Sequence, residues 1–319
     1  MQALQFTATG SLDTLQLRQL PQPVPAPGEV LVEVRATGVN PSDIKNVQGL
    51  FPYTTTPRIP GRDFAGVVVA GPDELLGQAV WGGTGKGFGF YQDGCHAQYV
   101  VVPANAVAPL PKSLSFAQAA TCGVPFITAW DALERSQVKA GTRLLIIGAG
   151  AVAKAAQVLA QARGAKVVMA ARRADVVQSL QAQGITAFKL SEEGQLAEQA
   201  REHFQQQAPE VIFETTGFWL AAAVNSVDTF GRVAIIAAPK DGLISLSSLN
   251  LYRRGGSIVG INSLLYSLED CAQMLMQIGA AFDAGLAVPS GFIELPLADA
   301  VAAYQQVSAG ASEKIVLIP

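Results

Sequence analysis

The sequence contains little charge and few side chains of the kinds that bind metals. Only 15% of its 319 residues are charged, the net charge is −3, and no block of lysine or arginine occurs. These features argue against nucleic acid as a partner. The cysteines are far apart and form no C-x-x-C pair, so neither a disulfide framework nor a four-cysteine zinc site is expected; they are Cys95, Cys122 and Cys271.

Long hydrophobic runs are also lacking. The longest, residues 144–153, is too short to cross a bilayer and contains two glycines. Met1 is not followed by a basic segment and an apolar core, which argues against a secretory signal peptide. We therefore expect a cytoplasmic protein with no membrane partner.

Hydrophobic residues, by contrast, make up half of the chain, and a length of 319 residues suits two domains better than one. The first hundred residues are typical of β-strands separated by proline and glycine. After residue 115, apolar strands alternate with helical segments, which predicts a parallel sheet covered on both faces and hence an α/β doubly wound fold. The last part of the chain predicts a capped helix, a strand, another helix and a final strand.

A glycine-rich motif follows the first of these apolar strands. Residues 143–154 read RLLIIGAGAVAK, a G-x-G-x-x-A pattern in which Gly148 permits a tight turn and Gly150 lets a pyrophosphate approach the backbone. Ala151 and Val152 then open a helix, and a helix N-terminus favours an anion. The strand, the turn and the helix together predict a dinucleotide-binding site.

The end of the second strand in this series selects the cofactor. Sites for NAD carry a carboxylate there, whereas this chain has Arg172 and Arg173. Two guanidinium groups favour a 2′-phosphate through charge-assisted hydrogen bonds, so we predict NADPH as the cofactor. Small residues at the ends of later strands are also predicted to contact it; they are Thr216, Gly217, Ala237 and Ala238.

Two polar motifs in the β-rich part raise a separate question. Residues 38–45 read GVNPSDIK, which we interpret as a polar turn, and residues 60–66 read PGRDFAG. Such side chains can hold a metal ion, bind a substrate or simply end a strand. The residues alone leave these alternatives open.

Six motifs give the chain a resemblance to a known family along nearly its whole length. In chain order they are GVNPSDIKNVQG, IPGRDFAGVV, GCHAQYVVVP, ITAWDAL, GAGAVA and EKIVL. They resemble the zinc-free quinone oxidoreductase branch of the medium-chain dehydrogenase/reductase superfamily. The resemblance implies a GroES-like catalytic domain, formed by residues 1–114 and 263–319. It also implies a Rossmann NADPH-binding domain, residues 115–262, inserted within it.

The same resemblance bears on metal binding. Zinc-dependent relatives place a cysteine, a histidine and a second cysteine where this chain has Asn40, Arg62 and Cys122. One thiol beside a guanidinium group does not make a three-ligand zinc site, so we expect no metal. We expect Arg62 to form an ion pair with Asp63 there, or to bind the substrate.

The resemblance implies an NADPH-dependent, zinc-independent reductase that transfers hydride to a quinone or an α,β-unsaturated carbonyl. Asn40 is a candidate donor to the nicotinamide ribose or to the substrate oxygen, and Asp43 is a candidate for orienting its neighbours. Lys45 and Tyr53 are candidate proton donors in the segment that follows. Lys314, in the closing strand, is a candidate contact for the cofactor.

Two alternative functions remain open. An enoyl-thioester reductase would use the same chemistry, although such relatives carry a tyrosine where this chain has Phe51. An NADPH-binding protein without turnover is the other alternative. The predicted strand at residues 257–261 resembles the edge strand through which relatives dimerise, so a homodimer is a further expectation.

Overall fold

The computed structural model describes residues 1–311 and 313–319, which form two compact units. One unit contains residues 1–127 and 263–319, and the other contains residues 128–262. The first unit thus extends beyond residue 114, where the sequence analysis places its end. Ala117 and Ala120 account for this difference, because they are buried in one apolar cluster with Ala36 and Val316.

The N-terminal part of the first unit is built mainly from antiparallel strands. Its strands are β1 (Gln2–Phe6), β2 (Leu15–Gln19), β3 (Glu29–Val39), β4 (Asp63–Ala70), β5 (Ala79–Gly83), β6 (Tyr99–Pro103) and β7 (Ala108–Pro109), and its helices are α1 (Pro41–Val47) and α2 (Phe116–Ala120). Alternate residues of β3, namely Val30, Val32 and Val34, are buried in one core with Phe64 and Val68 of β4. Alternate residues lie on the same face of a strand, so this face of β3 packs on that core.

Helix α1 occupies the segment that the sequence analysis interprets as a polar turn. Asn40 is the residue before the helix, and its backbone N–H donates to Oδ2 of Asp43 at 2.8 Å. Pro41 takes the first helical position, where no backbone donor is needed. The helix therefore begins directly after β3, with Asn40 and Asp43 at its N-terminal end.

The middle of the chain alternates helices and strands, as the sequence predicts. The elements are α3 (Gly123–Arg135), β8 (Arg143–Ile147), α4 (Ala151–Ala162), β9 (Lys166–Ala171), α5 (Ala174–Ala182), β10 (Ala187–Lys189), α6 (Leu196–His203), β11 (Val211–Glu214), α7 (Leu220–Ser226), β12 (Arg232–Ile235), α8 (Ser248–Arg253) and β13 (Ser257–Gly260). Six parallel strands lie in the order β10-β9-β8-β11-β12-β13. The order reverses direction between β8 and β11, and ligands of such sheets bind at that point.

The C-terminal segment returns to the first unit. Its elements are α9 (Leu268–Asp283), β14 (Phe292–Pro296), α10 (Ala300–Ser308) and β15 (Lys314–Ile318). Strand β15 pairs antiparallel with β3, with Ile315 opposite Val39, so Lys314 arrives next to Asn40. No helix in the described parts of either unit is long and apolar enough to cross a membrane.

Candidate functional site

The side-chain amide of Asn40 lies at the centre of a buried polar cluster in the first unit. Asn40 is only 2% exposed. Its Nδ2 donates to Oδ2 of Asp63 at 2.9 Å, and its Oδ1 accepts from Nζ of Lys314 at 2.5 Å. A carboxylate only accepts and an ammonium only donates, so these two partners fix which end of the amide carries the nitrogen.

The carboxylate of Asp63 is fully buried and surrounded by donors. Besides Asn40, it accepts the backbone N–H of Val124 at 2.8 Å, and Nζ of Lys314 lies 3.6 Å from its Oδ2. Gly123 makes this approach possible, because a Cβ there would lie 2.3 Å from Oδ1 of Asp63. Burial raises the pKa of Asp63, and the charge of Lys314 opposes that shift. Burial likewise lowers the pKa of Lys314, and Asp63 opposes it.

A second buried ion pair joins Arg62 to helix α1. Nε of Arg62 lies 3.2 Å from Oδ1 of Asp43, and both side chains are 2% exposed. The guanidinium group also donates to Oγ of Ser42, and its Cζ lies 5.3 Å from the ring centroid of Phe90. The expected ion pair between Arg62 and Asp63 is therefore wrong. Adjacent residues of an extended chain point to opposite sides, so the two side chains reach different partners.

Tyr53 and Lys45 are the remaining catalytic candidates, and their surroundings in the structure differ. The ring of Tyr53 lies 5.4 Å from that of Phe90 and 5.9 Å from that of Phe51, so it belongs to an aromatic group beside Arg62. Partial burial raises the pKa of its phenol, and the charge of Arg62 opposes the shift. Lys45 is exposed on α1, and its ammonium makes no hydrogen bond or ion pair with any described residue.

His96 and Tyr304 form a buried pair that the sequence does not reveal, because 208 residues separate them. Nε2 of His96 lies 3.3 Å from the carbonyl oxygen of Gly38, and its Nδ1 lies 2.9 Å from the hydroxyl of Tyr304. The carbonyl can only accept, so Nε2 carries the hydrogen and Nδ1 accepts from the phenol. Burial lowers the pKa of His96, which favours the neutral ring.

The residues at this cluster do not suit a zinc ion. Cys122 is buried, its Sγ donates to the carbonyl of Gln118 at 3.3 Å, and burial raises its pKa to about 12. The cations Lys314 and Arg62 already occupy the carboxylates that a metal would need. Among residues 1–311 and 313–319, no group of three or more histidine, cysteine, aspartate or glutamate side chains is placed to hold a metal ion.

The second unit contains the glycine turn predicted for a dinucleotide. Gly148 has a φ of +117°, and a Cβ there would lie 2.1 Å from Oγ1 of Thr215, so only glycine fits. Gly150 precedes helix α4, and a Cβ there would meet nothing within 4 Å, which leaves open space beside the backbone. The backbone N–H groups at the start of α4, which include those of Ala151 and Val152, lack intrahelical acceptors, as at every helix start. The turn therefore fits an anionic pyrophosphate.

Glu214 organises the end of strand β11, a role that was not predicted from the sequence. Its buried carboxylate accepts the backbone N–H groups of Thr216 and Gly217, each at 2.8 Å. Gly217 has a φ of +87°, and a Cβ there would lie 2.9 Å from the nitrogen of Ala238. The predicted cofactor residues Thr216, Gly217, Ala237 and Ala238 thus lie together, and a carboxylate directly before T-T-G was the available signal.

Arg172 and Arg173 both lie exposed at the end of β9, but they differ in their partners. Arg173 pairs with Asp175 in the first turn of α5, with Nε 3.1 Å from Oδ1. This hydrogen bond lowers the pKa of Asp175. Arg172 makes no hydrogen bond or ion pair within the described parts of the chain, so its guanidinium is available to a ligand.

Comparison with known proteins identifies the class of protein that carries these two sites. Residues 26–112 match the family model of the alcohol dehydrogenase GroES-like domain, and residues 151–280 match that of the zinc-binding dehydrogenase. A β-rich unit of the first kind with a Rossmann unit of the second defines an oxidoreductase, and this family implies a nicotinamide dinucleotide as cofactor.

The relatives narrow the assignment. A zinc-type alcohol dehydrogenase-like protein of Schizosaccharomyces pombe is 37% identical over 85% of this chain and 81% of its own length. The quinone oxidoreductase of Homo sapiens is 27% identical over 100% of this chain and 98% of its own. The structure of an alcohol dehydrogenase superfamily protein from Novosphingobium aromaticivorans has a TM-score of 0.88 and 31% identity, covering 100% of this chain and 99% of its own. The chain belongs to the medium-chain dehydrogenase/reductase superfamily and is quinone oxidoreductase-like, which confirms the resemblance seen in its motifs.

Proposed function

We propose that this oxidoreductase uses NADPH, requires no zinc and transfers hydride to a quinone or an α,β-unsaturated carbonyl. The observation that carries the proposal is the cluster around Asn40, where Lys314 and Arg62 supply positive charge and the described residues assemble no set of metal ligands. Without a Lewis acid, a conjugated acceptor is favoured, because it spreads the incoming negative charge onto an oxygen that hydrogen-bond donors can stabilise.

The second unit supplies the groups that would hold the cofactor. The turn at Gly148 and Gly150 and the first amides of α4 suit the pyrophosphate. Arg172 suits the 2′-phosphate, because it lies exposed at the end of β9 and forms no ion pair with any described residue. When bound, the reduced nicotinamide supplies the hydride, and the protein contributes orientation and electrostatics.

Asn40 is the donor that we propose for the reacting end. Asp63 takes one hydrogen of Nδ2 and leaves the other for a ribose hydroxyl or a substrate oxygen. Asp43 acts indirectly, since it holds the backbone of Asn40 and the guanidinium of Arg62. The exposed ring of Tyr53, which packs on Phe51 and on the buried Phe90, provides an apolar face near Arg62 for a flat acceptor.

The test is the loss of NADPH absorbance with a panel of acceptors. We expect turnover with quinones or simple enones and little with enoyl thioesters. Turnover confined to enoyl thioesters would replace the proposal by the enoyl-thioester reductase alternative. Tight NADPH binding with no oxidation by any acceptor would support a binding protein without turnover.

A homodimer and a cytoplasmic location remain part of the proposal. Strand β13 ends the sheet of the second unit and pairs only with β12 among the described strands, which leaves one edge for a second copy. All three cysteines are free thiols, as is common in a reducing compartment. Sedimentation of the purified protein tests the dimer, which a monomer at all concentrations would contradict.

A further inference from the structure

Four charged side chains make up the buried cluster of the first unit, and only one of them keeps appreciable exposure. Arg62 and Asp43 are each 2% exposed and form an ion pair with one another. Asp63 is not exposed at all. The side chain of Lys314 is 13% exposed. A ligand that needs positive charge from this cluster can therefore obtain it from Lys314.

The hydrogen-bond inventory of Lys314 supports the same conclusion. An ammonium has three N–H donors, and Oδ1 of Asn40 takes one of them at 2.5 Å. Asp63 contributes charge at 3.6 Å, which is longer than a normal hydrogen bond. Donors thus remain on Nζ for a further acceptor.

The fold holds this ammonium in place. Lys314 opens β15, and pairing of that strand with β3 brings it beside Asn40. Gly38 of β3 makes room for the lysine stem, because a Cβ there would lie 3.1 Å from Cε of Lys314 and 2.1 Å from the carbonyl oxygen of Ala120. Lys314 is therefore positioned by two strands and one helix rather than by a mobile loop.

We propose that Lys314 is a catalytic residue, whose ammonium stabilises the oxygen anion that forms on the acceptor and then protonates it. This inference rests on the proposed function. The acceptor gains a hydride at carbon, its π-electron pair moves to oxygen, and that oxygen takes a proton from Nζ. The neutral amine regains a proton from water, so charge and protons balance over one turnover.

The role can be read without turnover, by titrating the protein with 4-nitrophenol in the presence of NADP⁺. The phenol is a chromophoric mimic of the oxyanion, and its absorbance reports ionisation. At a pH below the pKa of the free phenol, we expect the wild-type protein to bind it as the phenolate. Lys314→Gln retains a donor towards Asn40 but not the charge, so it should bind the phenolate about tenfold or more weakly. Lys314→Arg should retain binding in part.

Matched variants separate this role from structural effects. Lys112→Met removes an exposed lysine of the same unit and should leave phenolate binding unchanged. The single variant leaves the buried carboxylate of Asp63 without its cation, which can impair folding. The double variant Lys314→Gln/Asp63→Asn removes both charges and avoids this cost, and it should bind the phenolate as weakly as Lys314→Gln. Wild-type protein that does not bind the phenolate, or folded Lys314→Gln that binds it with wild-type affinity, would overturn the inference.

Kinetics distinguish this inference from the proposed function. Wild-type protein inactive with every acceptor would refute the function, while the phenolate titration still reports on Lys314. If the wild-type protein turns over, Lys314→Gln should lower kcat by about a hundredfold or more and change its pH profile. NADPH affinity should not change. Unaltered kcat and pH profile would refute the role of Lys314 alone, and a selective loss of NADPH affinity would make Lys314 a cofactor contact instead.

Discussion

Arg62 forms its ion pair with Asp43 of helix α1, and not with Asp63, the next residue in the chain. Nε of Arg62 lies 3.2 Å from Oδ1 of Asp43, with both side chains almost fully buried. Asp63 turns instead to Asn40 and Lys314. Two neighbouring residues thus tie the start of β4 to α1 and to β15.

The first prediction concerns the stability of this arrangement. Arg62→Met leaves Asp43 buried without its cation, so the free energy of unfolding should fall by about 3–5 kcal/mol. Adding Asp43→Asn should restore part of the loss, since no uncompensated charge then remains. Urea denaturation measures both. Arg35→Met is the control, because the pair between Arg35 and Glu33 is half-exposed and contributes about 0–1 kcal/mol. A loss no larger than in this control would contradict the account.

The second prediction separates folding from cofactor binding at the glycine turn. Gly150→Ala places a methyl group in open space, so the melting temperature should not change. The methyl group should nevertheless obstruct the pyrophosphate and weaken dinucleotide binding. Gly148→Ala should lower stability as well, because its φ is +117° and its Cβ would meet Thr215. Calorimetric titration with NADPH and thermal melts measure the two effects, and wild-type NADPH affinity in Gly150→Ala would contradict the site.

The third prediction concerns the choice between NADPH and NADH. Arg172→Ala should weaken NADPH binding by about tenfold or more and leave NADH binding unchanged. Asp175→Asn should tighten NADPH binding, since it releases Arg173 from its partner. Lys166→Ala, at the opposite end of β9, is the matched control. Equal losses for both cofactors in Arg172→Ala would rule out a phosphate contact.

The fourth prediction concerns pH. Burial lowers the pKa of His96 below its ordinary value of 6.5, so the unfolded chain binds a proton more readily than the folded one. The stability that the neutral ring contributes should be complete above pH 6.5 and decline as the pH falls below that value. Urea denaturation across this range should show less decline in His96→Gln than in the wild-type protein. His203→Gln, at an exposed histidine, is the matched control for loss of a histidine side chain. A pH dependence of stability in His96→Gln identical to that of the wild-type protein would contradict the assignment.

The fifth prediction concerns the thiols. Cys95, Cys122 and Cys271 are all buried, and burial raises the pKa of Cys122 to about 12. None should react with a disulfide thiol reagent in the native state, because all three are buried, and the raised pKa of Cys122 also disfavours its reactive thiolate form. All three should react in denaturant. Rapid modification of a native thiol, with folding intact, would show that the structure around that cysteine opens and would contradict the prediction.

Much of the second unit could be predicted from the sequence because its signals are local. Continuous apolar strands, the glycine turn after Ile147 and the arginines after Ala171 each lie within a few neighbouring residues. Helix α8 escaped prediction although Ser247 caps it, since its six residues show too little periodicity. Glu214 was not predicted, because the backbone N–H groups that its carboxylate binds are brought to it only by the fold of the turn that follows.

The polar cluster of the first unit was harder to predict from the sequence, because it is assembled from distant segments. The contact between Asn40 and Lys314 spans 274 positions, and only the pairing of β3 with β15 creates it. The prediction of a polar turn at α1 is wrong, although the proline after Asn40 and the carboxylate of Asp43 are helix-start signals. The partner of Arg62 depends on the directions in which the side chains of Arg62 and Asp63 point, and the order of residues alone does not show those directions.

The most direct test of the central claim is kcat/KM for a quinone acceptor, measured with NADPH and with NADH after treatment with a strong chelator. We predict that the rate survives metal removal and that NADPH is preferred by about tenfold or more, in line with one charge-assisted contact. A rate that disappears with the metal and returns with zinc, or a preference for NADH, would contradict the account.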